Sequence, residues 1–379
     1  MRLKALLAAA VLAAATALPR PAVAAAADLV IAQVGPLSGP LGPNGSANFV
    51  GAKACFDQLN AQGGMHGQKI RFIAEDDQYQ PAQTLKLLQE VAQRDRPLAF
   101  VNLLGSANVA ALLKDGTLAR LGIPAVGVTP GAESLRTPGS PWLFHVQAGD
   151  HAQLRKIASH LATLGVTRVA LAYQDIPFGQ SGLAFVEQLA PSLKLQLLAR
   201  VPVPAAAEDL KDVAARLRAS GAQAYVMVLA TNSGASFVRD VRDAGDRTPI
   251  YGLSYVPVSG LLEKTSVAQA AGVALAQVTP NPAGHSTGLA REFQATMAKY
   301  APAGTPLSQP HLVGYLAARV VAEALRRAGP GATPERVAAT LRQLRFDAGG
   351  YPIDFSAGQN VGSQFVDIGV IDGKGDLRF

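Results

Sequence analysis

Residues Val34–Gly45 read VGPLSGPLGPNG, with four glycines and three prolines in twelve positions. An apolar run, DLVIAQV, leads into this stretch, and a helix-like run, Ser46–Asn60, follows it. Proline fixes φ and glycine removes side-chain bulk, so the stretch predicts a tightly specified loop between a strand and a helix. Two kinds of site use such a loop: a phosphate-binding loop, or the rim of a ligand site at the carboxyl end of a strand.

The strand–helix alternation that starts at this loop occurs twice along the chain. In the first half, the pattern predicts strands at Leu29–Val34, Lys69–Ala74, Pro97–Leu103 and Ile123–Val128, with helices at Ser46–Asn60, Ala82–Arg94 and Asn108–Leu121. It begins again at RVALAY (168–173), and runs such as YVMVL are continuously apolar, as in strands covered on both faces. We therefore predict an α/β fold of two Rossmann-like lobes with parallel central sheets.

The last hundred residues are expected to complete both lobes. A wide apolar stripe predicts a helix that starts at Pro310 and stops at Gly329, and Thr333 is a typical cap of a second helix. The run SQFVDIGVI (363–371) predicts a final strand. We expect a hinge with several crossings, near Val146, Val278 and Gly349. The expected boundaries are 28–146 plus 279–349 for the first lobe and 147–278 plus 350–379 for the second.

The N-terminus is typical of an export signal. Arg2 and Lys4 precede an apolar run shorter than the ~18–20 residues that span a membrane, and small residues in Ala22–Asp28 offer cleavage sites. We predict a signal peptide at 1–27 and a soluble, periplasmic mature chain. Residues 1–27 carry three basic and no acidic residues, so cleavage lowers the net charge from +7 to +4. The remaining basic residues are scattered, which argues against nucleic-acid binding.

The motifs of common catalytic and cofactor sites are missing from the sequence. The glycines of the opening loop do not fit G-x-G-x-x-G, a P-loop lysine is missing, and the histidines form no close helical pair for a metal. Adjacent strand residues point to opposite faces, so Asp76 and Asp77 are interpreted as holding the next loop and the helix start at Pro81. Cys55 is interpreted as a small buried side chain. We expect no catalytic residue, metal or cofactor.

Loops that follow the predicted strands carry the candidate ligand-binding residues. In parallel α/β sheets, ligands bind beyond the carboxyl ends of the strands, and a helix N-terminus there attracts a carboxylate. Ser106 lies at such a helix start, where capping of the helix and binding of a ligand are compatible roles. The candidates from these loops are Asn44, Gly105, Ser106, Thr129, Gly131 and Phe178.

Several ordered motifs resemble the leucine/isoleucine/valine-binding proteins of bacterial ABC importers, which have the type I periplasmic binding fold. The opening IAQVGPLSGPLGPNG is similar to the first strand and loop of that family. FDQLNAQGGMHGQKIRFIAEDD resembles its N-x-x-G-G-x-x-G-x-x-I motif, carried here by Asn60, Gly63, Gly64, Gly67 and Ile70. VALAYQDIPFGQSGLA and HLVGYLAARVVAEALRRAG also match, so the resemblance spans the whole mature chain. It implies two lobes that close on a small ligand.

The resemblance also implies roles for individual residues. First-lobe backbone N–H and hydroxyl groups would bind a ligand carboxylate, at Gly105, Ser106, Thr129 and Gly131. Phe178 takes a second-lobe aromatic position that is commonly tyrosine, and Thr231 replaces an aromatic residue found in many relatives. Ser254 stands where the leucine-binding members have a glutamate facing the ligand ammonium. A buried ammonium needs a carboxylate partner, so Ser254 predicts a carboxylate ligand without an α-amino group.

The leading hypothesis is a non-enzymatic, monomeric solute-binding subunit of an ABC importer. It would capture a small carboxylate, either a branched-chain or other amino acid or a related organic acid, and deliver it to the membrane permease. The opening loop, Val34–Gly45, would then form the edge of the ligand-binding site. The alternative is a ligand sensor of the same fold that docks on a signalling receptor, which co-purification with importer subunits would distinguish. A third hypothesis, an exported hydrolase with a site assembled in space, has no motif to support it.

Overall fold

A computed structural model describes residues 27–205, 207–356 and 358–379 of the chain. In this part of the chain, two mainly parallel sheets are each covered by helices on both faces, with a separate apolar cluster on either side of each sheet. The predicted two-lobed α/β fold is confirmed. The predicted signal peptide lies outside the described residues, apart from Ala27. No helix in the described ranges is both long enough and apolar enough to cross a membrane.

The first sheet is entirely parallel and has the strand order β2-β1-β3-β4-β5. Its strands are β1 (Leu29–Gly35), β2 (Ile70–Asp76), β3 (Ala99–Val101), β4 (Ala125–Val126) and β5 (Leu143–Phe144). The connecting helices are α1 (Gly42–Ala61), α2 (Pro81–Asp95), α3 (Ser106–Asp115) and α4 (Thr117–Leu121), followed by a short 3-10 helix at Glu133–Leu135. Parallel strands all end at one edge, so the loops after β1, β3 and β4 lie together.

The second sheet joins strands from two parts of the chain. In the first of these parts, the strands are β6 (Arg168–Gln174), β7 (Gln196–Val203), β8 (Ala224–Val228), β9 (Ile250–Gly252) and β10 (Ala274–Gln277). Its helices are α5 (Asp150–Thr163), α6 (Pro177–Leu189), α7 (Lys211–Ala219), α8 (Thr231–Asp243), α9 (Val258–Leu262) and α10 (Val267–Ala270). A hairpin of β11 (Arg345–Asp347) and β12 (Pro352–Asp354) precedes β13 (Asp367–Ile371) and β14 (Leu377–Arg378). The last two strands extend the sheet antiparallel, in the order β14-β13-β10-β9-β8-β6-β7.

Three helices between β10 and β11 return to the first lobe: α11 (Gly288–Tyr300), α12 (Gln309–Ala328) and α13 (Pro334–Leu341). The predicted helix between Pro310 and Gly329 is confirmed, and the Thr333 side chain accepts a hydrogen bond from the Arg336 backbone N–H, as expected of a cap. Helix α12 packs closely along α1, and both contribute to the apolar cluster that covers β1.

Two predicted helix boundaries were wrong. Helix α1 begins at Gly42, four residues earlier than expected, with Pro43 in its first turn; Asn44 and Gly45 therefore belong to the helix and not to the loop. Proline is well tolerated at a helix start because the first amides lack intrahelical partners. The predicted helix Asn108–Leu121 is divided into α3 and α4 by Gly116, whose φ of 68° is left-handed.

The third crossing between the lobes lies later than the expected position near Gly349. Ile353 and Phe355 are fully buried in the first lobe's apolar cluster, and the Phe355 ring packs edge-on against Phe144 at a centroid distance of 5.2 Å. The Tyr351 hydroxyl lies 3.1 Å from the Val146 carbonyl and 2.8 Å from the Val278 carbonyl. One side chain therefore joins the other two crossings, and the chain passes to the second sheet only between Phe355 and Asp367.

Candidate ligand-binding site

Strand-end loops of both sheets meet in the cleft between the lobes and enclose a small cavity. We call this space the Ser106 compartment. It is lined by the predicted residues Asn44, Gly105, Ser106, Thr129, Gly131 and Phe178, and by Leu41, Leu104, Ala230 and Tyr255. In this closed arrangement its volume is about 20 Å³, room for about one water-sized group. A ligand of several non-hydrogen atoms can therefore enter only if the lobes separate.

Ser106 has two unused donors at this cavity. Its Oγ accepts hydrogen bonds from the backbone N–H groups of Gly131 at 2.9 Å and Ala132 at 3.0 Å, so its lone pairs are occupied and its O–H is left to donate. Within the described chain, its backbone N–H, at the start of α3, makes no hydrogen bond. The residue is fully buried. Two donors at a positive helix end suit an anionic group.

Ser106 does not cap α3, because the N-cap of this helix is Gly105 and no side chain caps it, so of the two compatible roles only ligand binding is left open. Gly105 has a φ of 102°, and a Cβ there would overlap the Tyr79 ring, so a larger residue would be strained and crowded. Its backbone N–H donates to the Thr129 carbonyl at 3.1 Å. The amides of Gly105 and Gly131 are therefore already used within the first lobe, unlike the expectation that they bind a carboxylate.

Thr129 offers the opposite polarity to Ser106. Its hydroxyl donates to the Gly127 carbonyl at 3.2 Å, which leaves the oxygen lone pairs free to accept. Thr129 is 4% exposed and lines the cavity. The remaining wall is apolar, because Leu41, Leu104 and Ala230 form one cluster and the Phe178 ring packs edge-on against Tyr255.

A second cavity adjoins the first on the side of the hinge, and we call it the Gln147 compartment. It shares Asn44, Leu104, Thr129 and Tyr255 with the Ser106 compartment and is also lined by Asn48, Gln147, Ser254, Gln309, Pro310 and Val313. Ser254, predicted as a ligand residue, lies here and not in the Ser106 compartment. When the side-chain amide of Gln309 is rotated so that its oxygen and nitrogen exchange places, the oxygen accepts hydrogen bonds from the backbone N–H groups of Val278 at 2.8 Å and Thr279 at 3.0 Å.

Direct hydrogen bonds join the lobes over these cavities. The Asn44 amide donates to the Tyr255 carbonyl at 2.9 Å, and the Thr231 hydroxyl lies 2.9 Å from the Asn44 side-chain oxygen and 2.6 Å from the Tyr255 carbonyl. Asn44 belongs to α1 of the first lobe and Thr231 to α8 of the second. Thr231 lines neither compartment, so the structure gives this predicted ligand residue a contact between the lobes instead.

Asp150 is a buried carboxylate beside the cavity-lining residues Gly131 and Tyr255, and the sequence reasoning did not identify it. The Tyr255 hydroxyl donates to its Oδ1 at 2.7 Å, whereas Oδ2 has no partner among the described residues. A Cβ on Gly131 would overlap this Oδ2, so the carboxylate lies directly beside Gly131, which lines the Ser106 compartment together with Tyr255. Burial raises the pKa of Asp150 to about 7; the Tyr255 bond and Arg136 act to lower it and Glu133 to raise it.

Other acids of the sequence hold loops in place. Asp76 accepts from the Gln78 backbone N–H, and Asp77 accepts from the Tyr79 backbone N–H and from the Thr84 hydroxyl in the first turn of α2. Their interpretation as holding the next loop and the helix start is confirmed. Asp175, which lies close to Phe178 in sequence, is exposed and accepts from Gln180. Cys55 is fully buried, as interpreted, and burial raises the pKa of its thiol to about 12. In the described ranges, no three His, Cys, Asp or Glu side chains are grouped to hold a metal.

The residues missed by the sequence analysis carry weak local signals. Asp150 begins a helix directly after the first crossing, where an acidic residue is ordinary, and Gln147 lies inside that crossing. Tyr255 follows β9 at a strand end, so the strand-end rule, applied to this loop as well, would have found it. Asn48 lies inside α1, where only the packing of the two lobes shows that it faces the cavity.

Two α/β lobes whose strand-end loops face each other across a cleft have the architecture of the type I periplasmic binding fold. A family model described as periplasmic binding protein matches residues 28–376, and the chain belongs to that family. Its family and fold relatives are substrate-binding proteins, which confirms the resemblance inferred from the sequence.

Individual relatives cover nearly all of the chain. A substrate-binding periplasmic protein from Ralstonia solanacearum is 33% identical with a TM-score of 0.88, covering 93% of this chain and 99% of its own. An extracellular ligand-binding receptor from Verminephrobacter eiseniae is 34% identical with a TM-score of 0.86, covering 93% and 100%. A Leu/Ile/Val-binding protein homolog 8 from Brucella abortus is 24% identical over 357 residues, 88% of this chain and 85% of its own.

Proposed function

We propose that this chain is the periplasmic solute-binding subunit of an ABC importer, and that its two lobes close on a small α-amino acid. The observation that carries the proposal is the pairing of groups across the Ser106 compartment. Free donors of Ser106 lie on the first lobe, and an unpartnered acidic oxygen of Asp150 lies on the second. An α-amino acid presents the matching carboxylate and ammonium. The names of its relatives, which include Leu/Ile/Val-binding protein homologs, support the same class of ligand.

Asp150 can be the carboxylate partner of a ligand ammonium, so a ligand without an ammonium group need no longer be expected. That expectation rested on Ser254, which lies in the Gln147 compartment and has no charge. A buried ammonium beside Asp150 Oδ2 would have the carboxylate partner it needs, and the Thr129 oxygen can accept a further N–H bond. Arg136, Glu133 and Tyr255 are the other titratable or charged groups near this carboxylate.

Matched ligand pairs test the proposal. Leucine and alanine should bind more tightly than their 2-oxo analogues, 4-methyl-2-oxopentanoate and pyruvate, in titration calorimetry under one condition. Because the ammonium binds only charged Asp150, whose pKa burial raises to about 7, amino-acid affinity should rise with pH up to about 7 and then level off. The slope below that pH approaches tenfold per pH unit for one displaced proton. The 2-oxo acids should not show this rise.

The variant Asp150→Asn keeps the shape of the side chain and removes its charge. It should abolish both the preference for the amino acids and the pH dependence. Asp175→Asn, an exposed acid of the same lobe, is the matched control and should bind like the native protein. Tighter binding of the 2-oxo acids by the native protein would overturn the amino-acid assignment and restore the preference predicted from Ser254.

Delivery to a permease separates the importer from the sensor of the same fold. The importer assignment expects the ligand-loaded protein to be retained by importer membrane subunits and to stimulate their ATP hydrolysis. Retention by a signalling receptor without such stimulation would favour the sensor instead. We also propose that the protein acts as a monomer. We propose further that it has no catalytic role, which its membership of a family of binding proteins supports.

A further inference from the structure

Three buried polar side chains of the Gln147 compartment have no hydrogen-bond partner within the described chain. Asn48, Gln147 and Ser254 are 4%, 2% and 4% exposed, and their hydrogen bonds to other described residues are made by backbone atoms alone. Among their side-chain atoms, Gln147 Oε1 is fully enclosed without a partner. Buried polar groups in folded proteins nearly always have a partner, either protein or bound molecule. Their convergence on one small space indicates that a polar group binds between them.

The chemistry of the lining defines what that group can be. No charged side chain of the described residues lines this compartment, whose other walls include Gln309, Pro310 and Val313. A carboxylate or ammonium buried here would lack a counter-charge and would be strongly disfavoured. Amides and hydroxyls both donate and accept hydrogen bonds. The lining therefore fits a neutral group of the same kind, such as a carboxamide or a hydroxyl.

The two compartments are placed to receive one ligand. They share four lining residues, Asn44, Leu104, Thr129 and Tyr255, so they are adjacent, and separation of the lobes would break the Asn44–Tyr255 hydrogen bond that lies between them. A molecule whose carboxylate and ammonium lie between Ser106 and Asp150 would extend its side chain past Thr129 toward Gln147. Because the Gln147 compartment directly adjoins the Ser106 compartment, a side chain of a few non-hydrogen atoms is long enough to reach it.

Resting on the proposed function, we infer that the ligand is a small α-amino acid with a neutral polar side chain, and not a branched aliphatic one. Asn48, Gln147 and Ser254 bind the carboxamide or hydroxyl of that side chain. An aliphatic side chain would leave these three residues buried without partners, which is the strongest way for a binding site to reject an analogue.

Isosteric amino acids test the inference directly. Asparagine and leucine have side chains of nearly the same shape, as have threonine and valine, so each pair differs mainly in hydrogen bonding. Titration calorimetry should show the polar member binding at least about tenfold more tightly in at least one pair. Affinities that are equal within twofold in both pairs would mean that only water occupies the compartment, and would overturn the inference.

Variants locate the effect. Ser254→Ala should lower the affinity for the preferred polar amino acid by about three- to tenfold and leave that for its aliphatic partner unchanged. Gln147→Met should act in the same direction, and a thermal melt checks that both variants are folded. Ser236→Ala, a fully buried serine of the same lobe that lines neither compartment, is the matched control.

The remaining outcomes separate this inference from the proposed function. Tighter binding of leucine or valine than of both polar partners would overturn the inference and leave the proposed function standing. If the preference for the polar amino acids is unchanged in Ser254→Ala and Gln147→Met, the polar side chain does not bind in the Gln147 compartment, and the inference is overturned. Failure of all four amino acids to bind, while a 2-oxo acid binds, would overturn the amino-acid function and this inference with it.

Discussion

At the scale of single residues, Ser106 combines a structural bond with an unused donor. Its oxygen accepts from the Gly131 and Ala132 amides, so Ser106→Ala leaves two buried N–H groups without a partner and removes the free O–H. We expect a lower melting temperature together with a loss of affinity of about 1.5–3 kcal/mol, the usual value for a hydrogen bond to a charged group. Calorimetry with the tightest amino acid, beside thermal melts, measures both effects.

The matched control for Ser106 is Thr84→Val in the same lobe. Thr84 is 1% exposed, and its hydroxyl bonds to Asp77 away from the cavity, so this variant should lower stability without changing affinity. If Ser106→Ala behaves in the same way, with affinity unchanged within twofold, the Ser106 hydroxyl only holds the Gly131 loop and does not bind ligand.

At the scale of elements, the contact between α1 and α12 depends on a glycine. A Cβ on Gly314 would overlap the Asn48 carbonyl of α1, and neighbouring backbone atoms cannot move aside as a flexible side chain could. Gly314→Ala should therefore push the two helices apart and lower the stability of the protein by about 1–3 kcal/mol, as overpacking does. Thermal or denaturant unfolding measures the change.

Gly373→Ala provides the control for that prediction, since no heavy atom lies within 4 Å of a Cβ added there. This exposed substitution should change stability by less than about 0.5 kcal/mol. Because Asn48 and Val313 line the Gln147 compartment from these two helices, Gly314→Ala should also weaken ligand binding. Equal stability of the two variants would show that the helices separate without strain.

At the scale of the whole molecule, closure of the lobes is the central prediction. The Thr231 hydroxyl stabilises the closed arrangement through Asn44 and Tyr255, and Thr231→Val removes that hydroxyl with little change of shape. The ligand-free variant should open, with a larger radius of gyration in small-angle scattering, because a buried Asn44 oxygen loses its partner. Saturating ligand should return it to the compact form.

Thr265→Val is the control for lobe closure, because this hydroxyl bonds only to the Leu261 carbonyl within the second lobe. It should leave the radius of gyration unchanged. Two results would contradict the prediction. Equal radii for Thr231→Val and the native protein without ligand would show that these bonds do not hold the lobes together. A radius that ligand leaves unchanged in the open variant would argue against closure altogether.

Much of the fold and half of the cavity could be predicted from local patterns in the sequence. Alternating apolar strands and amphipathic helices form a parallel sheet covered by helices, and its carboxyl-terminal edge gathers the strand-end loops. For this reason Ser106, Thr129 and Phe178, selected by their position after a strand, all line the same compartment. The first turn of α1 was misplaced because proline and glycine are common both in loops and at helix starts.

What only the tertiary structure decided depends on how the second lobe faces the first. Asp150 is an ordinary acid at the start of a helix until burial against Gly131 and Tyr255 isolates its carboxylate, and Asn48 is an ordinary polar residue of α1 until the Gln147 compartment forms around it. Hydrogen bonds between residues far apart in the chain also decide which backbone N–H groups remain free. The Gly105 N–H, for example, is used by the Thr129 carbonyl. The sequence by itself determined a two-lobed binding fold and its rim, because those follow from periodicity and turn residues. The polarity of the cavity came from contacts between residues far apart in the chain, which periodicity does not encode.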